Sequence, residues 1–321
     1  MGLEGGGPQG SVQVSIVVPA YNEHDSLAQL HAEIAQAVQS TGLSHEIVFI
    51  DDGSTDDSWK LMRELARGSP HVRALRLRRH LGKAAGLAAG FAAARGEVIV
   101  TLDADLQDDP AEIPNFLAKL GEGYHLVCGW KLRRLDPLGK RLASKIFNAV
   151  VSRVGGLRLH DHNCGFRCMV REVARTVPMH GELHRYLPTL AHAYGFRATE
   201  IGVHHRARQF GRSKYGWERH LRGALDLMTA LLLGRYRERP LHLLGGLGVG
   251  VGLIGILLGA VLAVLRIVGV RVPGVFGLGL LALGFVLIGT QLALGGVVAE
   301  LLVARAPRAS DIVAEEVGAG D

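Results

Sequence analysis

The chain has 321 residues, a formal net charge of +6 and a pI of about 9.4, with 48% hydrophobic but only 6% aromatic residues. A basic balance suits anionic small molecules or a membrane surface, and no Lys/Arg block is interleaved with stacking rings, which argues against nucleic acid as a partner. Three cysteines, Cys128, Cys164 and Cys168, are too few for a disulfide framework and point to a reducing compartment.

Residues 1–10 are Gly-rich, lack the apolar core of a signal peptide and read as a disordered tail. Strand and helix patterns then alternate. Val12 to Val18 is the first strand, ending at Pro19-Ala20-Tyr21-Asn22-Glu23, and Leu27, Leu30, Ile34 and Val38 form a helical stripe. Glu46 to Ile50 is the second strand and runs into Asp51-Asp52-Gly53-Ser54. Trp59, Met62 and Leu65 mark the next helix, with Ser54 and Asp57 spaced as a capping box. Val72 to Leu77 is a third strand. Lys83 to Ala94 is an Ala/Gly-rich helix, with Gly96 suited to its C-terminus. Val98 to Leu102, a helix from Pro110 to Leu120 and a strand from His125 to Gly129 follow. Repeated βαβ units predict an α/β fold with a doubly wound, mostly parallel sheet. Neither a Gly-x-Gly-x-x-Gly fingerprint after the first strand nor a Walker A loop is present.

The most informative stretch is Glu97 to Pro110. Asp103, Asp105, Asp108 and Asp109 crowd the end of a buried strand, where uncompensated carboxylates are costly. Asp103 and Asp105, with Gln107 two further on, can converge oxygens on one hard cation such as Mg²⁺. Asp108 and Asp109 read instead as a solvated turn capping the helix that Pro110 opens. In open α/β sheets, ligands bind beyond the carboxyl ends of the strands. Three polar strand ends, at Tyr21 to Glu23, Asp51 to Ser54 and the Asp103 group, therefore predict one site. Asp52 can accept the N–H of a nucleobase whose face packs on Tyr21. Lys83, at the start of its helix, can meet phosphate.

These segments, PAYNE at 19–23, IDDGSTDDS at 50–58, Gly82-Lys83 before an Ala-rich helix, and DADLQDDP at 103–110, resemble family 2 glycosyltransferases of the GT-A fold. More narrowly they resemble polyprenyl-phosphate glycosyltransferases, the group that includes dolichol-phosphate mannose synthase. The resemblance covers roughly residues 12–220. It implies that Asp52 binds the nucleobase, and that Asp103, Asp105 and Gln107 hold Mg²⁺ or Mn²⁺ on a nucleotide-sugar diphosphate. Pro19, Tyr21, Glu23, Asp51, Lys83 and Ser213 are expected to line the same nucleotide site.

Further along, Lys131, Arg133, Arg134, Lys140 and Arg141 read as a solvated or membrane-facing basic surface, with Arg134 a candidate to position the acceptor. The segment His160 to Cys168 has a zinc reading, but H-x-H-x-C-x₃-C lacks the usual loop between ligand pairs. The alternative, which the resemblance supports, places Asp161 and Arg167 on the acceptor side. Arg206-x-Arg208-x-x-Gly211-x-Ser213-Lys214-Tyr215 matches a loop that the family places over its substrates. Physically, Arg206, Arg208 and Lys214 around a glycine hinge make a mobile phosphate clamp. Trp217, Leu221, Leu225, Met228 and Leu232 then predict an interfacial helix within residues 217–239.

From Leu241 to Leu265 no Asp, Glu, Lys or Arg occurs, roughly 37 Å of helix against a ~30 Å hydrocarbon core. Val272 to Ala299 is likewise uncharged, so two transmembrane helices, about 241–265 and 273–302, form a hairpin after a catalytic domain over 11–216. Arg235, Arg237, Arg239, Arg305 and Arg308 favour both ends in the cytoplasm, against Arg266 and Arg271 in the link. Gly246/Gly250 and Gly255/Gly259 are small-residue pairs able to seat helix contacts or a homo-oligomer. Residues 305–321 read as a second disordered tail. The sequence thus predicts a membrane-anchored inverting glycosyltransferase that moves a sugar from a nucleotide diphosphate to a polyprenyl phosphate, with Asp105, Arg134, Arg167, Arg206 and Lys214 at the reacting groups. The alternatives are a glycosyltransferase with a polysaccharide or other non-lipid acceptor, and a nonenzymatic membrane scaffold that binds nucleotide sugar. The former lacks a Gln-x-x-Arg-Trp motif near Trp217, and the retained metal ligands oppose the latter.

Overall fold

The β-branched runs of the first hundred residues become neighbouring strands of one sheet. In the computed structural model, which describes residues 12–132, 148–149, 151–153, 155–181, 183–206, 236 and 239–305, that sheet has seven strands in the order β3-β2-β1-β4-β6-β5-β7. They are β1 (Val14–Ala20), β2 (His45–Asp51), β3 (Val72–Arg76), β4 (Val98–Thr101), β5 (Leu126–Lys131), β6 (Arg167–Val170) and β7 (Ala198–Val203). β1 pairs in parallel with β2 and β4, β2 with β3, and β5 with β7. β6 enters between β4 and β5 and is antiparallel to both. The expected mostly parallel sheet is present; its one reversed strand, β6, and its edge strand β7 are the two that periodicity passed over. β6 has four residues and carries a buried Arg167, so it lacks a readable apolar run.

Helices cover both faces, as a doubly wound sheet requires. On one face α1 (His24–Gln39), α2 (Ser58–Gly68) and α4 (Ile113–Gly121) pack on Ile16, Val18, Phe49 and Val100, burying Leu27, Leu30, Ile34, Met62 and Phe116. On the other face α3 (Lys83–Ala93), α5 (Arg171–Thr176) and α6 (Leu187–Ala193) pack on Val17, Val48 and Ile99 through Leu87, Phe91, Val173 and Leu190. Gly90 allows α3 its close approach, because a methyl there would stand 2.4 Å from Val17 Cγ1.

Two capping expectations change. The Ser54/Asp57 box does not form: Ser54 Oγ accepts from Asn22 N–H at 2.9 Å, and Asp56 Oδ1 accepts from Ser58 N–H at 3.0 Å. Gly96 does not cap α3, whose C-cap is Ala94; it lies against β1, where a methyl would meet Ser15 N at 2.5 Å.

The chain divides into two units, Met1–Gly234 and Arg235–Asp321. Described in the second are α7 (Pro240–Ile267) and α8 (Val275–Arg305). They run antiparallel, with contact at glycines: a methyl on Gly248 would stand 2.5 Å from Gly289 O, and one on Gly255 2.6 Å from Ala282 O. Gly255 thus seats a helix contact as expected, whereas Gly246 and Gly250 face open space. Glu300 Oε2 accepts from Leu241 N–H at 3.1 Å, placing an anion at the N-terminus of α7. Both helices are long and apolar enough to cross a membrane, and little of their apolar surface is buried among the described residues. Residues 217–235 of the predicted interfacial helix, residues 1–10 and 306–321 of the predicted tails, and Arg133, Lys140, Arg141, Arg237 and Arg308 lie outside the described residues, whereas Arg305 ends α8.

Candidate active site at the strand ends

The C-terminal edge of β1 and β2 is built around two aspartates with different duties. Asp51 is fully buried; Oδ1 accepts from Ser54 N–H at 2.9 Å and Oδ2 stands 3.0 Å from Arg76 Nε, so this carboxylate holds its own turn. Asp52 faces the loop before α3. Its Oδ1 accepts from Leu81 N–H at 2.8 Å, its Oδ2 from Gly82 N–H at 2.9 Å, and His80 Nδ1 stands 2.8 Å from Oδ2. Gly53, at φ +74°, makes the approach possible, since a methyl there would meet the Arg79 and His80 backbone at 2.6 Å. The Tyr21 ring stacks on His80, with centroids 4.0 Å apart and planes at 23°. Pro19 lies in β1 opposite Ile50, and Glu23 precedes α1, its N–H donating to Ser58 Oγ at 2.9 Å.

At the end of β4 the chain turns through Leu106, a fully buried leucine at φ +59°, a conformation costly for a side chain of this kind and concentrated at functional sites. Lys83 Nζ contacts Asp103 Oδ1 directly. Burial pushes the Asp103 carboxyl up, but Lys83 first, then Lys131 and His184, outweigh it and hold the group below the usual carboxylate range. Beneath it lies Gly165: a methyl there would stand 2.6 Å from Asp103 Oδ2, and Thr101 Oγ1 donates to Gly165 O at 2.7 Å. Asp105 is buried, and its Oδ1 accepts from Gln107 N–H at 3.2 Å. The Gln107 amide lies 3.4 Å from His205 Nε2.

Asp109 caps the short 3₁₀ turn at Pro110–Glu112, accepting from Ala111 N–H at 3.0 Å, as expected. Asp108 does not share that role. It is buried, 3.9 Å from Lys131 Nζ and 3.7 Å from His205 Nδ1, and Lys131 is correspondingly no surface lysine. Burial lowers the Lys131 pKa, but Asp108 ahead of the other anions outweighs it and raises it above the ordinary lysine value.

The His160–Cys168 segment does not converge on a metal. His160 stacks on Trp130 and contacts Glu200, His162 Nε2 stands 2.8 Å from Ser152 Oγ, and the Cys164 and Cys168 thiols are buried. Its contribution to the site is Gly165. Arg167 is buried and donates from Nη1 to His184 O at 2.6 Å and from Nη2 to His162 O at 3.0 Å, tying two turns together. Asp161 is buried as well. Arg206 is held by Glu33 and Asp109. Arg134, Arg208, Ser213 and Lys214 lie outside the described residues. Sequence reasoning missed His80, His184, Gly165 and the buried Asp108–Lys131–His205 group. Only the glycine in an otherwise side-chain-rich turn carried a local signal, that of close backbone approach.

Among the described residues no three His, Cys, Asp or Glu side chains form a ready-made metal cage. Magnesium does not need one: it is held by one or two carboxylates and completes its octahedron with waters and substrate phosphates. Asp103, which already attracts the Lys83 cation, and Asp105 fit that donor set.

A doubly wound sheet with the Tyr21–His80 stack, an aspartate pair and a helix-start lysine at its strand ends is the arrangement of a glycosyltransferase of the GT-A type. The sequence profile of Glycosyl transferase family 2 matches residues 15–177, just over half of the chain. Undecaprenyl-phosphate 4-deoxy-4-formamido-L-arabinose transferases of Salmonella paratyphi B and Salmonella newport are each 39% identical over 256 residues, covering 79% of this chain and 77% of theirs. The fold is shared with glucosyl-3-phosphoglycerate synthase from Mycobacterium tuberculosis. Its complex with Mn²⁺, uridine diphosphate and phosphoglyceric acid superposes with a TM-score of 0.54 at 21% identity, over 70% of this chain and 78% of that one. The complex with Mn²⁺ and UDP-glucose also gives 0.54, at 23% identity, over 70% and 79%. The chain belongs to glycosyl transferase family 2.

Proposed function

We propose that this glycosyltransferase moves a sugar from a nucleotide diphosphate to a polyprenyl phosphate at the cytoplasmic face of a membrane, inverting the anomeric carbon. One observation carries the acceptor class. The match to the undecaprenyl-phosphate transferases spans 256 residues, more than the 234 of the first unit, so the likeness extends into the apolar second unit. A lipid acceptor gives a membrane hairpin a reason to be part of the same enzyme.

The chemistry follows from charge. Tyr21 offers a ring face and Asp52 an acceptor for the base. Lys83, at the N-terminus of α3, offers a cation and the helix end to the diphosphate. Asp103 and Asp105, with Gln107, would hold Mg²⁺ or Mn²⁺, which when bound neutralises charge developing on the leaving diphosphate. The acceptor phosphate is anionic at neutral pH, so no side chain has to remove a proton from the nucleophile. What the protein supplies there is position. Lys131, near Asp103, together with Arg134 and Lys214, supplies the cations for that task. Arg167 acts through the turns it fixes at His162 and His184. Arg239 and Arg305 flank the helix pair at its two outer ends, which favours both ends in the cytoplasm.

The test is transfer itself. Membranes carrying the protein are incubated with labelled nucleotide sugars, Mg²⁺ and undecaprenyl phosphate. The label is expected in the organic phase as an acid-labile phosphodiester, dependent on added lipid. Label in water-soluble glycan, indifferent to added lipid, would replace this reading with the polysaccharide one.

A further inference from the structure

The two contacts that a nucleobase would make at the β1 and β2 ends are both made by one side chain of the protein. A base would lay its face on Tyr21 and direct a ring N–H to Asp52. The His80 ring lies on Tyr21 at 4.0 Å and 23°, and its Nδ1 stands 2.8 Å from Asp52 Oδ2. His80 is a planar, nitrogen-bearing aromatic ring about half the size of a purine, so the likeness is one of shape as well as of bonding.

We propose that His80 occupies the nucleobase seat and competes with the donor for it, so that the base binds by displacing the imidazole from Tyr21. This rests on the nucleotide-donor reading above and adds to it a residue that sets donor affinity. Three features support it. The His80 side chain is 54% exposed, so the ring has room to leave. The loop need not move with it, because Leu81 N–H and Gly82 N–H stay bonded to Asp52 and the Gly53 contact pins the backbone at Arg79 and His80. A carboxylate offers about four acceptor sites, so Asp52 can keep both backbone donors and exchange only the third partner.

A self-competitor has a thermodynamic signature that a direct contact lacks. It reduces the fraction of protein able to bind and therefore weakens every nucleotide by the same factor. A residue touching the base would affect different bases differently. The experiment is calorimetric titration of the full-length protein in detergent with UDP, CDP and GDP in the presence of Mg²⁺. It compares the wild type with His80→Ala and His80→Phe, after thermal melts establish that all three are folded. His80→Ala is expected to bind each nucleotide about three- to tenfold more tightly, by one common factor, as loss of a single stack and one polar contact predicts. His80→Phe keeps the ring face but offers Asp52 no N–H, and is expected to fall between the two. Unchanged or weaker binding in His80→Ala, or tightening of one nucleotide alone, would overturn the competition while leaving the donor reading intact. Failure of all three nucleotides to bind the wild type and both variants would overturn the donor reading and this inference with it.

Discussion

Arg206 Nη1 stands 2.7 Å from Glu33 Oε2 on α1, and its Nη2 stands 2.8 Å from Asp109 Oδ1. Its backbone N–H donates to Gln107 O at 2.8 Å, next to an isolated bridge between Asp108 and His205. The chain at Arg206, just before residues 208–214, is thereby latched to the turn that bears Asp105 and Gln107. Although burial lowers the Arg206 pKa, the hydrogen bonds to Glu33 and then Asp109 outweigh it and raise it. We propose that Arg206 anchors the loop and that Lys214 and Arg208 meet phosphate.

Glu33 appears in no motif, so it separates these roles. Glu33→Gln is expected to lower kcat/KM for the lipid acceptor about tenfold with little change in melting temperature, and Arg206→Ala to add little to it in the double variant, as partners in one network do. Full activity in Glu33→Gln alongside collapse in Arg206→Ala would assign Arg206 to the substrate instead.

Gly165 supports Asp103 by having no side chain. A methyl 2.6 Å from Oδ2 must displace the carboxylate or the turn that Thr101 holds. Displacement of a positioning group by about 1 Å can cost on the order of 100-fold in rate, which is the loss expected for Gly165→Ala. Gly121→Ala, with nothing within 4 Å, is the control and should retain wild-type turnover. Near-normal turnover in Gly165→Ala would show that Asp103 does not need its observed place.

What was legible in the sequence depended on whether the signal was local. β1, β2 and β4 are apolar runs with polar ends, and the hairpin is two long uncharged stretches, so each announces itself. β6 is only four residues long and opens on a buried Arg167, whose Nη1 and Nη2 donate to the carbonyls of His184 and His162. The acidity of DLQDDP suggests solvent for both Asp108 and Asp109, yet only the partners Lys131 and His205, remote in sequence, decide that Asp108 is inside. Small-residue spacing found Gly255, but the facing stripe runs through Gly248 and Gly289, because spacing alone does not orient a helix.

Acid should destabilise the first unit in two stages. His162 is fully buried; burial first, then Arg167, lowers its pKa from the ordinary 6.5 to about 4. The unfolded chain takes up that proton before the folded one does, so stability falls as pH drops from about 6.5 to about 4, by on the order of 3 kcal/mol. Burial pushes Glu46 up, but Ser15 Oγ at 2.7 Å, Arg73 Nη1 at 2.9 Å and Arg95 N–H at 2.7 Å outweigh it and leave its pKa lowered. Its contribution is present above the ordinary carboxylate value of 4.5 and is lost as pH falls further. Melting temperatures between pH 7 and pH 4 should slope less in His162→Gln than in the wild type. Parallel slopes would remove His162 from the account.

The last prediction concerns the cation. Because no three His, Cys, Asp or Glu side chains among the described residues form a cage, metal affinity should depend on the donor phosphates. Titration of the protein with Mg²⁺ alone is therefore expected to give little heat, whereas Mg²⁺ should strengthen UDP binding by about 10- to 100-fold through charge neutralisation at the diphosphate. Asp105→Asn removes one carboxylate charge from the strand end while keeping a side chain of the same shape, able to accept the Gln107 N–H bond. It should retain metal-free UDP binding, lose the Mg²⁺ enhancement and lose transfer. Mn²⁺ should replace Mg²⁺ in the wild type, and EDTA should abolish activity reversibly. Transfer at full rate in EDTA, or an undiminished Mg²⁺ enhancement in Asp105→Asn, would sink the assignment of the metal to Asp103 and Asp105, leaving Lys83 as the cation that meets the diphosphate.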